Sequence, residues 1–553
     1  MDKTIRIKLP AGLRAVRPGV TAAEALGVDL QDPGDVIAAT LNNHLVSLAT
    51  RVDGDAQLRP VTRFDREGRG ILRRACAQLL LAVAAQRAPE LELSVGQSLL
   101  GGHFYEVRSP AGTPVDLEAL ADDLNETLAK VVEEDLPFER LTITVEGASR
   151  LLADPSGSKR KLLRCWPTPV VSLIRFLGVV DIQHGPYPPS SGFVAGARVA
   201  AYPPGLILQF PESERTPVDP EQGRTLWSSY TETRDWNRQV GIATVGDLNA
   251  AILEDRVEEV QQLAEAFHEK KIAQLADQIA SRAGAVRVVC VAGPSSAGKT
   301  TFVRRLSVQL RVNGIEPVCV GLDDYYRSRD QCPRDEDGDY DLEALEALDV
   351  PLIHAHLQGL LAGEEVRIPS FDFLTRRPTP EATWRPLRLR ADQVLLLEGI
   401  HGLNPRLTSV IPPAARFRIY VNALTQLVID DHNRIFTSDG RLLRRIVRDR
   451  RYRDTPAGET IARWASVRRG EQRHIYPYQE ECEGVFNSAL VYEAPILKTF
   501  AQRYLLEVPQ DHPARVEAYR LLKFLELFVP VFPDVVPANS VLREFIGGSG
   551  FSY

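Results

Sequence analysis

Hydrophobic and polar residues alternate along the first part of the chain in a pattern that predicts short strands. The alternating segments TIRIKL and HLVSLATRVD lie on either side of the stretch TAAEALGVDL. Within that stretch Thr21 can cap a short helix, because Glu24 follows three residues later in the spacing of a capping box. We therefore predict that residues 1–62 form one compact unit of short strands around a helix.

Residues 63–250 mix predicted strands, such as LTITVEG and GLILQF, with helical segments and turns rich in proline and glycine. The apolar run at 79–85 is too short to span a bilayer, so we interpret it as part of a buried helix. This mixture predicts a second domain of the α+β kind.

The clearest helical period lies between residues 255 and 282. Its apolar positions fall mainly on one face, and Gly284 follows as a stop signal. We interpret residues 251–284 as a connector helix that leads into the last domain. The residues of its apolar face are Val257, Val260, Leu263, Ala264, Phe267 and Ile272.

Apolar strands alternate with helical segments from Val286 onward. This order favours an α/β domain, residues 285–553, in which helices cover both faces of a parallel sheet. The predicted strands of this domain are VRVVCVAG, PVCVGL, VLLLEGI, FRIYV and ALVYE.

The composition is that of an ordinary globular protein, with 44% hydrophobic residues and a net charge of −7 over 553 residues. A chain of this length needs several domains, and its negative charge argues against a protein that mainly coats nucleic acid. The start MDKTIRIKLPAG lacks the apolar segment of a signal peptide, and the six cysteines form no CxxC pair. We therefore expect a cytoplasmic protein with no membrane partner.

The most informative motif is GPSSAGKT, which follows a predicted strand and precedes a predicted helix. That is the strand–loop–helix order of a phosphate-binding P-loop. Lys299 would reach the β- and γ-phosphates, and the Thr300 hydroxyl would hold Mg²⁺. We expect ATP and Mg²⁺ as ligands, bound by Gly293, Pro294, Ser295, Ser296, Ala297, Gly298, Lys299, Thr300 and Thr301.

Two acidic residues follow the ends of predicted strands. Glu398 ends the strand of DQVLLLEGI, where we expect it to act on Mg²⁺ or its water, or else to cap the next turn. Asp323 follows PVCVGL, and a kinase needs a carboxylate at such a position to accept a hydroxyl proton. Its neighbour Asp324 can instead cap the following turn. The chain lacks the guanine-reading NKxD, which argues against a GTPase.

Residues 286–500 resemble the uridine kinase and phosphoribulokinase superfamily of P-loop kinases, above all the uridine–cytidine kinases. The resemblance is carried by GPSSAGKT, LDDYY, DYDLEALEALD, PSFDF, LLLEGI and an arginine-rich segment, in that order. It implies that Asp323 is the catalytic base for a nucleoside 5′-hydroxyl and that Asp341 binds the ribose hydroxyls. It also places aromatic positions of the substrate site at Tyr340, Phe371 and Phe373. Core packing is the alternative for both phenylalanines, and the period-two alternation favours it less for Phe371 than for Phe373.

The same resemblance makes Arg448 and Arg453 lid arginines that close over the phosphates and take part in catalysis with Lys299. The neighbouring arginines are more typical of a solvated helix face, so we assign them no role; they are Arg444, Arg445, Arg450 and Arg451. One departure concerns the nucleobase, because Arg376 replaces the expected base-contacting histidine or tyrosine.

The first 250 residues resemble the N-terminal part of threonyl-tRNA synthetase, a TGS domain of β-grasp fold followed by an editing-type (SAD) domain. TAAEAL and GQSLLGGHFYEV carry this resemblance. The order of domains, with EAFHEKKIA, FNSALVYE and the IGGS tail, is similar to that of long bacterial nucleoside kinases. The editing histidines are absent from REGRGILRRACAQLLL and from WPTPV after Cys165, so we expect a non-catalytic half with a regulatory, oligomerising or RNA-contacting role.

Together these features predict an ATP- and Mg²⁺-dependent nucleoside kinase. Two alternatives remain open at this point. One is a kinase for another small hydroxyl acceptor, such as a sugar phosphate, and the other is an ATP-responsive regulator that binds RNA.

Overall fold

The structure is a computed structural model that describes residues 4–30, 34–211, 218–219, 222–282, 284–336, 338–372, 375 and 377–552. Three regions follow one another along the chain, and each has its own set of sheets. In the described part of the chain, no helix combines the length and the apolar character that crossing a bilayer requires.

The first region is a mixed sheet that packs around one short helix, in agreement with the predicted β-grasp fold. The strand order is β2-β1-β7-β4-β5, with β1 and β7 parallel. The predicted capping box is confirmed, since Thr21 Oγ1 accepts from the N–H of Glu24 at 3.2 Å and the Glu24 carboxylate accepts from the N–H of Thr21 at 2.7 Å. The elements are β1 Ile5–Leu9, β2 Gly12–Val16, β3 Val20–Thr21, α1 Ala22–Leu26, β4 Val36–Leu41, β5 His44–Val46, β6 Arg51–Val52 and β7 Ala56–Thr62.

The second region contains two antiparallel sheets, β13-β14-β9-β8 and β10-β11-β12. Its long helix α2 buries Leu79–Leu81 and Ala82–Ala84, which confirms the buried helix predicted there. The elements are α2 Arg66–Arg87, β8 Glu92–Leu99, β9 Gly102–Arg108, α3 Leu117–Glu133, β10 Glu139–Thr144, α4 Val145–Leu151, α5 Ser158–Leu163, β11 Val170–Phe176, β12 Val179–Ile182, β13 Arg198–Tyr202, β14 Gly205–Gln209, α6 Arg224–Gln239 and α7 Val245–Leu253.

Helix α8, Val257–Ala280, joins the second region to the third and packs along the helix that follows the P-loop. The predicted apolar face holds at Val260, Ala264 and Ile272, which are buried. It is wrong at Leu263, which is 42% exposed. Two polar residues, Glu265 and His268, are also buried on this helix. Glu265 accepts hydrogen bonds from Arg305 and Tyr492, which lie on other elements.

The third region is built on a parallel sheet of order β16-β21-β15-β22-β23, which confirms the predicted α/β fold. Apolar clusters on both faces bury its strands. The elements are β15 Val288–Ala292, α9 Lys299–Val312, β16 Glu316–Gly321, α10 Val350–Leu361, β17 Glu365–Ile368, β18 Phe371–Asp372, β19 Arg377–Pro378, β20 Arg385–Arg388, β21 Gln393–Glu398, α11 Pro405–Thr408, β22 Arg416–Asn422, α12 Thr437–Tyr452, α13 Ala457–His474, β23 Gly484–Asn487, α14 Glu493–Leu506, α15 Arg515–Glu526 and α16 Arg543–Ile546.

The predicted strand ALVYE is wrong, because the last strand of the sheet is β23 and ends at Asn487. The Asn487 side chain accepts from the N–H groups of Leu424 and Ala489 at 2.8 and 3.0 Å, which turns the chain away from the sheet. Glu493 then begins α14 and accepts from the N–H of Leu490 at 3.0 Å. The apolar run is buried in the turn between the two elements, so its hydrophobicity does not report a strand.

The second and third regions share one apolar core. Leu162 and Leu248 lie in the same buried cluster as Leu443, Trp464 and Leu497. Side chains from both halves of the chain therefore bury one another in a single cluster.

Polar contacts join the same two regions. Asn249 is fully buried; its amide donates to Leu527 O at 2.8 Å and accepts from Val529 N at 2.9 Å. The ammonium of Lys159 lies 3.0 Å from Asp181 and 2.9 Å from Nδ1 of His432, which precedes α12. Despite the cost of burial, the charge of Asp181 raises the pKa of Lys159. These contacts fix the segment that leads into α12 against the second region.

Candidate active site

The phosphate loop, residues 293–298, connects β15 to α9. Gly293 has no room for a side chain, because a Cβ atom there would lie 1.8 Å from the carbonyl oxygen of Val421. Ser296 and Gly298 have φ values of +58° and +82°, in the left-handed region. Backbone of this kind turns N–H groups toward a common centre, where an anion can bind.

Lys299 and Thr300 begin α9 and face the end of β21. The Thr300 hydroxyl donates to Glu398 Oε2 at 3.4 Å, and Lys299 Nζ lies 4.0 Å from Glu398 Oε1. A hydroxyl and a carboxylate oxygen are ligands of the hard kind that Mg²⁺ prefers. The two oxygens therefore fit a magnesium ion beside the phosphate loop.

The surroundings of Glu398 disfavour its ionised form. Burial raises the pKa of Glu398 to about 7; the charge of Lys299 opposes this rise, and the charges of Asp323 and Glu544 add to it. A divalent cation held by Glu398 and Thr300 would reverse this balance and favour the ionised carboxylate.

Asp323 and Asp324 differ in their surroundings. Both lie in the single-turn 3₁₀ helix Leu322–Tyr325 directly after β16, which pairs with β21. Asp324 accepts the backbone N–H of Phe371, and burial raises its pKa. Asp323 is exposed, and its charge acts on Glu398. The structure therefore uses Asp324 to hold its neighbour strand and leaves Asp323 open at the edge where Glu398 ends.

Asp341 is held as an ionised carboxylate near the same edge. His474 Nε2 lies 3.6 Å from Asp341 Oδ2, and the N–H of Glu343 donates to Asp341 Oδ1 at 3.1 Å. The hydrogen bond with His474 lowers the pKa of Asp341 against the opposing effect of burial. A carboxylate in this state accepts hydrogen bonds, which suits the hydroxyl groups of a substrate.

The ring of Tyr340 contacts two arginine side chains. The guanidinium groups of Arg329 and Arg334 lie 4.8 and 4.4 Å from its ring centroid, and Arg334 Nη2 donates to its hydroxyl at 3.2 Å. These contacts hold the Tyr340 ring by cation–π attraction, so two positively charged guanidinium groups surround the ring.

Phe371 is half-buried in β18, with its ring centroid 5.7 Å from that of Tyr326. This position leaves part of the ring at the surface near Asp324. Phe373 and Arg376, for which the sequence predicts contacts near a base and a change of base recognition, lie outside the described residues.

Arg448 and Arg453 converge on Asp449, as does Arg445. Arg448 donates to Asp449 Oδ1 at 2.9 Å, Arg453 lies 3.7 Å from the same oxygen, and Arg445 donates to Oδ2 at 3.3 Å. The charge of Arg448, followed by burial, lowers the pKa of Arg453 to about 10. Arg445 also donates to Ser295 Oγ at 3.0 Å, so the cluster of three cations and one anion contacts the phosphate loop.

The prediction that Arg444 belongs to a solvated face is wrong. Arg441 and Arg444, one turn apart on α12, are both fully buried behind the phosphate loop. Glu471 on α13 binds Arg441 through two hydrogen bonds, and Glu493 on α14 accepts one from Arg444 at 2.5 Å. Sequence reasoning missed both pairs because each joins residues that are 30 or more positions apart.

The C-terminal segment also contacts the phosphate loop, which no sequence motif predicts. Glu544 Oε2 accepts from the N–H and the hydroxyl of Thr301 at 3.1 and 2.9 Å. Val541 packs on Gly298, where a Cβ atom would lie 2.4 Å from the valine Cγ1. Phe545 is fully buried. This segment forms a wall of the site at the start of α9.

Comparison with known proteins separates the two halves of the chain. The model of the Phosphoribulokinase / Uridine kinase family matches residues 288–490. Residues 288–490 thus resemble the kinase-like P-loop domain of this family, which supports a nucleotide-dependent phosphotransferase. This agrees with the resemblance deduced from the motifs.

The N-terminal half matches threonine–tRNA ligases. The ligase of Symbiobacterium thermophilum is 31% identical over 200 residues, which is 35% of this chain and 30% of the ligase. Threonine–tRNA ligase 2 of Bacillus subtilis is 28% identical over 199 residues, or 35% of this chain and 31% of the ligase. The chain thus spans about a third of the length of these relatives.

Solved structures similar to this chain include one described as a possible uridine kinase from Bacillus stearothermophilus. It is 19% identical, covers 39% of this chain and 97% of its own, and has a TM-score of 0.28. The YGR205w protein is 13% identical, covers 40% of this chain and 89% of its own, and also has a TM-score of 0.28.

Proposed function

We propose that the protein is an ATP- and Mg²⁺-dependent kinase that transfers the γ-phosphate of ATP to the 5′-hydroxyl of a nucleoside. The observation that carries this proposal is the exposed carboxylate of Asp323 beside Glu398, at the edge of the sheet where the phosphate loop also lies. Asp341, kept ionised by His474, offers acceptor oxygens for the hydroxyls of a ribose.

In this proposal each residue performs one step of the transfer. Asp341 orients the acceptor, and Asp323 takes the proton of its hydroxyl as the oxygen attacks the γ-phosphorus; the bond to the β-phosphate oxygen breaks and ADP leaves. Lys299, Arg448 and Arg453 neutralise charge on the transferred group. Mg²⁺, held by Thr300 and Glu398, would supply the remaining positive charge.

A screen for ADP release over nucleosides, sugars and sugar phosphates tests the proposal, with Asp323→Asn and Asp324→Asn as a matched pair. We expect turnover with a nucleoside, a loss of about 10²–10⁴-fold in kcat for Asp323→Asn, and unchanged ADP binding in that variant. Asp324→Asn should retain most of the activity. If no acceptor in the screen causes ADP release, the proposed kinase activity is wrong. If Asp323→Asn keeps the wild-type kcat, the assignment of Asp323 as the base is wrong.

For the N-terminal half we propose a non-catalytic role in the cytoplasm, through RNA contact or self-association. The similarity to threonine–tRNA ligases supports contact with RNA, and the missing histidines support the absence of editing chemistry. Stimulation of the kinase by tRNA would agree with this role, whereas turnover that is indifferent to tRNA and to protein concentration would oppose it.

A further inference from the structure

Three consecutive carbonyl oxygens of the phosphate loop accept hydrogen bonds from buried side chains. Arg441 Nη1 donates to Ser295 O at 3.1 Å, and Arg444 Nη1 lies 3.5 Å from Ser296 O. The hydroxyl of Ser488 donates to Ala297 O. A loop whose N–H groups bind phosphate must satisfy its carbonyl groups elsewhere, and these three donors do so.

The donors are buried and held by contacts with other side chains. Arg441, Arg444 and Ser488 are all fully buried, at 0% exposure. Arg444 Nη2 donates to Ser488 O at 2.7 Å and its Nη1 to Ser488 Oγ at 3.2 Å, so these two donors support each other. The guanidinium of Arg441 also lies 5.3 Å from the ring centroid of Trp464.

Each buried arginine is paired with a glutamate, so the pairs bring little net charge to the phosphate site. Glu471, the partner of Arg441, also accepts the N–H of Ser295 at 3.1 Å. Glu493, the partner of Arg444, remains behind the loop. The contribution of these pairs is therefore directional hydrogen bonding and not attraction of the anion at a distance.

The backbone at Ser296 needs such support. Its φ of +58° lies in a region that residues other than glycine adopt rarely, and it sits between the carbonyl groups that the donors hold. Without this support the loop would populate other backbone conformations. Phosphate binding would then have to order the loop, which would lower the affinity.

We propose that Arg441, Arg444 and Ser488 are positioning residues that hold the phosphate loop in its anion-binding conformation before nucleotide arrives. They contact the loop from behind and act on the phosphates only through its backbone. The inference rests on the proposed function in one respect, namely that this loop binds a nucleotide phosphate.

The test measures binding of ADP and of inorganic tripolyphosphate to the full-length protein by calorimetry. Ser488→Ala removes the donor to Ala297 O, and Ser307→Ala is the control, because the Ser307 hydroxyl donates to Val303 O within α9, away from the loop. We expect Ser488→Ala to weaken both ligands equally, by about fivefold for one lost hydrogen bond. Ser307→Ala should bind both like the wild type.

Two variants of Arg444 add a second measurement. Arg444→Met removes the donors, whereas Arg444→Lys keeps one charged donor, so affinity for tripolyphosphate should fall in the first variant and recover in part in the second. Thermal unfolding of each variant is measured as well, to show whether the variant folds. If the arginine variants do not fold, the affinities of Ser488→Ala alone test the inference.

Wild-type affinity in folded Ser488→Ala overturns the inference, and so does a loss confined to ADP, since that would place the effect on the nucleoside. A wild-type protein that binds ADP but phosphorylates no nucleoside contradicts the proposed function alone, because the binding comparison stands without an acceptor. Failure of the wild type to bind either ligand contradicts both.

Discussion

The partly buried carboxyl of Glu398 should make the protein less stable at high pH than a variant with a neutral side chain. Burial raises the pKa of this group from 4.5 to about 7 in the folded protein. One pKa unit corresponds to ~1.4 kcal/mol, so ionised Glu398 costs the folded state about 3 kcal/mol when both states are ionised. Glu398→Gln keeps the shape of the side chain and removes this cost.

The sign follows from the raised pKa. The folded protein holds the proton more tightly than the unfolded chain, so the stabilising contribution is complete below pH 4.5 and is lost as the pH rises through 7. Relative to Glu398→Gln, the wild type should therefore lose about 2 kcal/mol of unfolding free energy between pH 5.5 and pH 8. Urea denaturation followed by tryptophan fluorescence, without nucleotide or Mg²⁺, measures this difference.

Two controls test whether the pH dependence comes from the carboxyl of Glu398. Glu365→Gln neutralises an exposed glutamate at the start of β17 and should follow the wild-type pH profile. Mg²⁺ with ADP should stabilise the wild type at pH 8 more than Glu398→Gln, because the cation binds the ionised carboxylate. Parallel pH profiles for wild type and Glu398→Gln would refute the argument that burial of this charge destabilises the fold.

Two further predictions concern a carboxylate of the C-terminal segment and a buried ion pair of the second region. Glu544→Gln should tighten ADP binding roughly tenfold, since it removes a negative charge bonded to a backbone N–H at the start of α9, and weaker binding in calorimetry would mean that the carboxylate supports the site. Asp181→Asn should destabilise the protein by ~3 kcal/mol, because the buried charge of Lys159 would lose the carboxylate that pairs with it at 3.0 Å. An unchanged midpoint of urea unfolding would contradict the second prediction.

The sequence predicts the site where the chemistry is local along the chain. The P-loop is recognisable because its glycines, Lys299 and Thr300 are contiguous and follow a strand, and Glu398 is recognisable because it ends an apolar strand. The choice between Asp323 and Asp324 needed the fold, since it depends on a hydrogen bond from Phe371, which is far along the chain.

The sequence-based predictions of burial were wrong where contacts between residues far apart in the chain determine which side chains are buried. An arginine-rich period predicts a solvated face, yet Arg444 is buried, and Glu493 offsets the cost of burying its charge by pairing with it. Leu263 fits the helical period of α8 but has no neighbouring element to cover it, and it is exposed. Periodicity reports which residues could be buried, and tertiary partners decide which of them are.

The shared core of the second and third regions implies that the folded third region depends on the second for its stability. A fragment that began at residue 285 would expose Leu443 and its neighbours to water and would leave Leu527 O and Val529 N without the amide of Asn249. Synthesis, proteolytic turnover and thermal inactivation would therefore act on both halves together. A substitution buried in the synthetase-like half can thus lower kinase activity in a cell without changing any residue that touches a phosphate.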